Sequence, residues 1–131
     1  MSKEYIRKEI EKRFHAWNGL SVARKSYQND SEPTNRASGI WAHLEIVHVM
    51  RKITSIGENP CTTRTGTVMI YVYGHLGEGT AEISRKTDEL EKWFSFHEAD
   101  NLWLDAAITI DAGAKNGYYQ SVVYVPFTYS D

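Results

Sequence analysis

The stretch GTVMIYVYGHLGEGTAEISRKTDELEKWF, Gly66 to Phe94, decides the fold. Val68, Ile70 and Val72 alternate with Thr67, Met69, Tyr71 and Tyr73, the period-two pattern of a strand with one face turned inward. Gly74, Gly77 and Gly79 break that run, and Thr80 can cap a helix with its hydroxyl. Ile83, Thr87, Leu90 and Phe94 then recur at i, i+4, i+7 and i+11, so one helical face is apolar. A strand, a glycine-rich loop and a helix in this order invite a phosphate site, but the residues argue against one. A P-loop needs lysine and then serine or threonine at the helix entrance, so that an ammonium and a hydroxyl reach phosphate and magnesium. Thr80-Ala81-Glu82 stands there instead. The glycines run G-x-x-G-x-G, the wrong order for a dinucleotide fingerprint, and Glu78 and Glu82 would repel an anion. A strand-to-helix turn is the simpler reading of the loop.

On the N-terminal side of this unit, residues 3–17 predict a helix. Ile6, Ile10, Phe14 and Trp17 form one stripe, Ser2 can cap the start, and Asn18-Gly19 supplies the left-handed exit. Glu4 and Lys8 sit at i, i+4 in the favourable order, worth about 0.3 kcal/mol. Leu20 to Tyr27 predicts a short strand with Val22 and Leu20 turned inward. Gln28 to Ser38 is polar, holds Pro33 and clusters turn formers, so it is a loop long enough to be a contact segment. From Gly39 to Thr54 period two returns. Ile40, Ala42, Leu44 and Ile46 share one face, Trp41, His43, Glu45 and Val47 the other. Its far end carries Arg51 and Lys52, as a protruding or edge segment would. Ser55 to Pro60 is a turn, and Cys61 to Tyr73 returns as the next strand, giving a long antiparallel hairpin.

On the C-terminal side, Ser95–Asn101 is an irregular link and Leu102–Ile110 holds a further strand, placed at Ala106–Ile110. Asp111–Gly117 (DAGAKNG) is a turn-rich loop, and Tyr118 to Tyr129 is the last strand. Tyr119, Ser121, Val123, Val125 and Phe127 share one face, and Pro126 near its end points to a sheet edge. The order α, β, β, β, α, β, β predicts an α+β fold: a mainly antiparallel mixed sheet with a long β-hairpin and two helices packed on one face.

At 131 residues the chain is expected to form a single domain, residues 1–131, with one core. No apolar run approaches the roughly 20 residues that cross a bilayer, and the start MSKEYIRKEIEKRF lacks a secretory apolar region, so the cytoplasm is the expected compartment. Cys61 is the single cysteine, which excludes an internal disulfide and a multi-cysteine zinc cluster. Fifteen basic against 17 acidic residues give a formal net charge of −2, and no basic tract marks a general nucleic-acid binder.

The histidines His15, His43, His48, His75 and His97 show no metal-ligand spacing, and His43 and His48, five apart in a strand, point to opposite faces. Cys61 has Arg64 nearby to lower its pKa but no adjacent histidine. Asp88, Glu89, Glu91 and Glu98 belong to a solvated helix face and its exit. No catalytic, cofactor or metal set emerges, and no enzyme activity is expected. Eight tyrosines and four tryptophans exceed what one small core must hide. The strand tyrosines therefore suit a protein interface.

The ordered landmarks resemble the tail-terminator (tail-completion) proteins of long-tailed phages, of the lambda minor tail protein U type. They are the helix ending Phe14-His15-Ala16-Trp17; Ser26-Tyr27-Gln28-Asn29; the Pro33 loop; the strand Ile40-Trp41-Ala42-His43-Leu44; Gly66 to Tyr73; the loop Gly77-Glu78-Gly79-Thr80 with its helix; and Gly117-Tyr118-Tyr119 leading into Val122–Phe127. They span nearly the whole chain. Gly74-His75 stands where such sequences often carry proline, which changes the local loop geometry. The resemblance implies a virion protein without chemistry or cofactor, assembled in the host cytoplasm as a homo-oligomeric ring, expected to be hexameric. Such a ring caps the head-proximal end of the tail tube and stops its polymerisation. It then contacts the major tail tube protein and a head-completion or connector protein, while genomic DNA passes through the lumen without sequence-specific binding; no membrane is involved. The interface residues expected are Asn29 and Arg36 in the polar loop, Arg51, Lys52 and Arg64 on the hairpin arm, and Tyr71 and Tyr73 on its strand. The rival reading is a small anion- or ligand-binding domain or enzyme built on Gly74–Thr80. A weaker one makes Arg51, Lys52 and Arg64 a DNA-facing strip.

Overall fold

A computed structural model describes residues 2–21, 24–27, 39–53, 57, 62–75, 81–115 and 118–130. The two helices are α1, Ser2–Ala16, and α2, Ala81–Phe94. The strands are β1 Lys25–Tyr27, β2 Trp41–Ile53, β3 Thr62–His75, β4 Glu98–Ala99, β5 Leu102–Leu104, β6 Ile108–Lys115 and β7 Tyr118–Ser130. The fold is α+β. The seven strands form one curled mixed sheet in the order β1-β2-β3-β7-β5-β4, with β6 also paired to β7.

The hairpin is present as the alternation predicts. β2 and β3 pair antiparallel from Trp41↔Tyr73 to Ile53↔Thr62, with the register shifting between His48 and Met50. The register puts Ala42, Leu44, Ile46, Val68, Ile70, Val72, Val123, Val125 and Phe127 on one face. Ile6, Ile10 and Phe14 of α1 and Ile83, Leu90 and Phe94 of α2 complete a single buried core with it. The two helices are clasped to each other. Arg13 Nε donates to the Trp93 carbonyl (3.0 Å), the Trp93 indole N–H donates to the Arg13 carbonyl (2.8 Å), and the guanidinium lies 4.1 Å from the indole centroid. Gly74 lets β3 come close to α2, because a Cβ there would meet Ile83 Cδ1 at 2.7 Å.

The structure corrects the expected strand map at four places. The first strand is only Lys25–Tyr27, and it runs parallel to β2. Leu20 is half-buried against the core, while Val22 lies outside the described residues. Lys25, the first residue of β1, is buried, and its ammonium donates to the carbonyls of Phe14 (3.0 Å), His15 (3.1 Å) and Trp17, so the strand also covers the end of α1. The link after α2 contains a small hairpin, β4 with β5, too short for periodicity to announce.

The strand expected at Ala106–Ile110 starts at Ile108 and runs on through DAGAK, read above as a loop; β7 pairs with it to Lys115↔Tyr118, and a bulge between Asp111 and Gly113 absorbs the glycine at φ 78°. Finally, Pro126 lies in an interior strand, with β3 on one side and β5 and β6 on the other. Its carbonyl accepts from Asp105 N–H (2.8 Å), so its missing N–H faces the interruption between β5 and β6 and breaks no ladder bond. The Gln28–Ser38 loop, the hairpin tip apart from Gly57, Cys61 and the loop residues 76–80 fall outside the described residues.

Candidate assembly surfaces

Beyond the core the hairpin continues as an arm. Past Val47 the β2 side chains lose cover: Val49 is 68% exposed, Met50 57% and Ile53 67%, with exposed Arg51 and Lys52 among them. Arg51 lies directly across from Arg64 of β3. Two like charges directly opposite each other on a ladder disfavour the pair. At the arm's root His48 packs edge-on to Phe127, with 5.7 Å between ring centroids. Burial first, then Lys3 and Arg64, holds the His48 pKa below the usual histidine value, and burial does the same for His97 beside Arg13.

Both imidazoles are therefore favoured neutral in the folded chain, whereas the unfolded chain protonates them near the ordinary value of 6.5. Their contribution to stability is complete above that pH and is lost as pH falls from it through the lowered folded values. The melting temperature is expected to drop on acidification through this window. A double His48→Gln/His97→Gln variant should show a flatter profile in a pH series of thermal melts.

The sheet face opposite the helices carries the aromatics. Tyr71 and Tyr73 stack at 6.3 Å, and Trp41 stacks on Tyr73 at 5.4 Å and meets Tyr118 edge-on at 4.8 Å. Trp41 is almost fully buried in this cluster, so it stiffens the sheet, while Tyr71 and Tyr73 are half-exposed. Here the expected interface tyrosines form a patch of their own, separate from Arg51, Lys52 and Arg64 on the arm. Asn29 and Arg36 lie outside the described residues.

Two arrangements that resemble chemistry are better explained as structure. With His43 Nε2–H facing Glu45 Oε2 (3.2 Å), Nδ1 is the acceptor for the Ser26 hydroxyl (2.7 Å). The polarity is that of a Ser-His-Glu relay, which period two alone could not reveal because Ser26 comes from the parallel strand β1. The access is reversed, however. Ser26 is 3% exposed and the open end of the chain is the carboxylate, so no substrate reaches the hydroxyl. The relay ties β1 to β2.

A cleft of about 480 Å³ lies beside the first turn of α2, lined by Ser21, Arg24, Gly39, His75, Glu82 and Lys86 among others. Arg24 donates to the Ile40 carbonyl (3.3 Å), Lys86 leans toward Glu89 (3.8 Å), and Glu82 is held by Arg85 (2.7 Å) at the helix entrance. That carboxylate opposes an anion where the helix dipole would favour one. Among the described residues no group of three or more His, Cys, Asp or Glu converges as a metal set, and no helix is long and apolar enough to cross a membrane.

At the other end of the sheet, β6 pairs with β7 along one edge, and among the described residues no strand pairs with the other. Ile108 and Ile110 are 56% and 51% exposed on it. Beside it, at the exit of α2, Phe96 is 74% exposed with a left-handed backbone (φ 61°), a conformation that disfavours a bulky residue. The open edge was not visible in the sequence, since it depends on where β6 lies in the sheet.

No family model and no curated protein matches the chain. A solved structure of a protein without a described function does match, over 98% of this chain and 96% of its own, with a TM-score of 0.74 and 16% identity. At that identity the likeness shows the fold, over nearly the whole of both chains.

Proposed function

We propose that this chain is a structural virion protein, the subunit of a hexameric ring that caps the head-proximal end of a phage tail tube. The ring stops tube polymerisation, touches the major tail tube protein on one side and a head-completion or connector protein on the other, and lets DNA pass through its lumen. It is assembled in the host cytoplasm and ends in the virion tail. The observation that carries this reading is the arm: a strand pair reaching past the core with Val49, Met50 and Ile53 exposed beside Arg51 and Lys52. Exposed apolar side chains of this size on a projecting strand mark a protein contact. The ordered sequence landmarks and a sheet with helices on one side agree with it. The aromatic face with Tyr71 and Tyr73 supplies a second surface for a different partner.

Added to polymerising tail tubes, the protein is expected to halt their growth at a length set by the moment of addition, with a ring visible at one end by negative-stain imaging. Tubes that grow on unchanged, or a chain that stays monomeric by native mass spectrometry even with tubes present, would defeat this reading. An anion-binding domain instead predicts a thermal shift with phosphate or nucleotides.

A further inference from the structure

Among the described residues, the arm and β6 are the two longest stretches of strand left without a neighbour on one side, and they lie at opposite ends of one sheet. On the β2 side, β1 covers only Ala42 to Leu44, so from Val47 onward no strand among the described residues lies along the outer edge. On the other side, among the described residues, β6 is bonded to β7 alone. Natural proteins protect such edges with charge, bulges or cover, because an open apolar edge templates pairing with another chain. Here the protection is incomplete at both ends, since Ile108 and Ile110 are half-exposed on β6 and Val49, Met50 and Ile53 stand out from β2.

The two edges are also opposite in charge. The arm, Val47–Ile53 with its β3 mate Thr62–Gly66, carries His48, Arg51, Lys52 and Arg64 and no carboxylate. Asp105 and Asp111 bracket the exposed isoleucines of β6, and Lys115 ends the strand as its one basic residue. The α2 exit beside it adds Asp88, Glu91 and Lys92 around Phe96. Glu91 and Ser95 bind that region into one surface: the carboxylate accepts from the Thr109 hydroxyl, and the Ser95 hydroxyl accepts from Ala107 N–H at 2.8 Å. The lengths match, seven residues of free arm against the eight of β6.

We propose that the basic, apolar outer edge of the arm docks on the acidic, isoleucine-bearing β6 edge of a second copy of this chain. Because the two edges differ, the contact is head-to-tail, the kind that builds a ring when the rotation between neighbours closes. It extends the reading above by naming the mating surfaces, and rests on that reading only for the number of subunits. Phe96 supplies the aromatic anchor at the margin of the contact, which accounts for a bulky residue held exposed in a left-handed backbone. The contact weakens as salt rises, because its charges are screened at the rim.

The test is a reciprocal charge swap read by native mass spectrometry and sedimentation, without tail tubes. Arg51→Glu/Lys52→Glu reverses the arm, and Asp88→Lys/Asp105→Lys reverses the receiving edge; all four side chains are exposed, and circular dichroism checks that each chain folds. Each variant alone is expected to self-associate at least about tenfold more weakly than the unaltered chain, as like charges now face each other. An equimolar mixture should recover association, with the two chains alternating.

If both variants assemble like the unaltered chain, or if both fail and the mixture does not recover, the two edges do not face each other and the proposal is overturned. An unaltered chain that remains monomeric at every concentration overturns it as well. A chain that associates through these edges yet leaves tube growth untouched upholds this contact and defeats the terminator reading, so the two failures are separable.

Discussion

Gly66→Val is expected to remove at least about 3 kcal/mol of stability, more than any surface change in this chain. Gly66 lies opposite His48, just inside the register shift where the arm leaves the core, and its Cα faces Phe127. A Cβ there would fall far inside van der Waals contact of the Val47 carbonyl oxygen and of the Phe127 ring. The ring could turn, but the carbonyl belongs to the paired strand and moves only if the ladder moves with it. The larger side chain therefore forces β2 and β3 apart at the root of the arm. For a domain of this size the loss corresponds to a fall of roughly 10 °C or more in the melting temperature. Gly66→Ala should show a smaller drop of the same sign. Unchanged melts for both would mean that the strands are not in such close contact there. A Gly66→Val chain that keeps its fold at low temperature should also lose self-association, because the arm is no longer held in line with the sheet.

Lys25→Met is the second large effect, about 3 kcal/mol of destabilisation. Methionine fills nearly the same volume, so little packing is lost and the change reports the polar head alone. The Lys25 ammonium satisfies the carbonyls of Phe14, His15 and Trp17, the terminal acceptors of α1, and lies 5.5 Å and 5.6 Å from the ring centroids of Phe14 and Trp17. Removing it leaves the His15 and Trp17 carbonyls without this donor, at about 1–3 kcal/mol for each that finds no water, while the Phe14 carbonyl keeps the Trp17 N–H (3.2 Å). Burial pushes the lysine pKa below its usual range, while the carbonyl acceptors and the negative end of the helix dipole favour the charged form. Equilibrium denaturation by urea measures the loss. A value under about 0.5 kcal/mol would mean that water replaces the ammonium without penalty.

These residues also mark the boundary between what could be read in the chain and what could not. Both helices, the inward face of β2, β3 and β7, and the hairpin follow from periods of 3.6 and two, because each is a local consequence of which side of an element must be dry. Ile83, Thr87, Leu90 and Phe94 are buried as their spacing requires, and Arg51 and Lys52 are exposed where basic residues end an apolar alternation.

What the sequence alone could not determine depends on partners distant along the chain. DAGAK has the composition of a turn, and it is a strand because β7 offers it a full ladder and a bulge accommodates Gly113. Lys25 looks like a surface residue until α1 is seen to end over it, and Pro126 signals an edge until the break between β5 and β6 is found opposite it. The same holds for the proposed contact. Sequence placed the basic arm on one side of the hairpin, but only the tertiary structure left an acidic, half-exposed β6 edge at the far end of the sheet. Edges are defined by which strands remain unpaired, and that is a property of the whole sheet and not of any one of its strands.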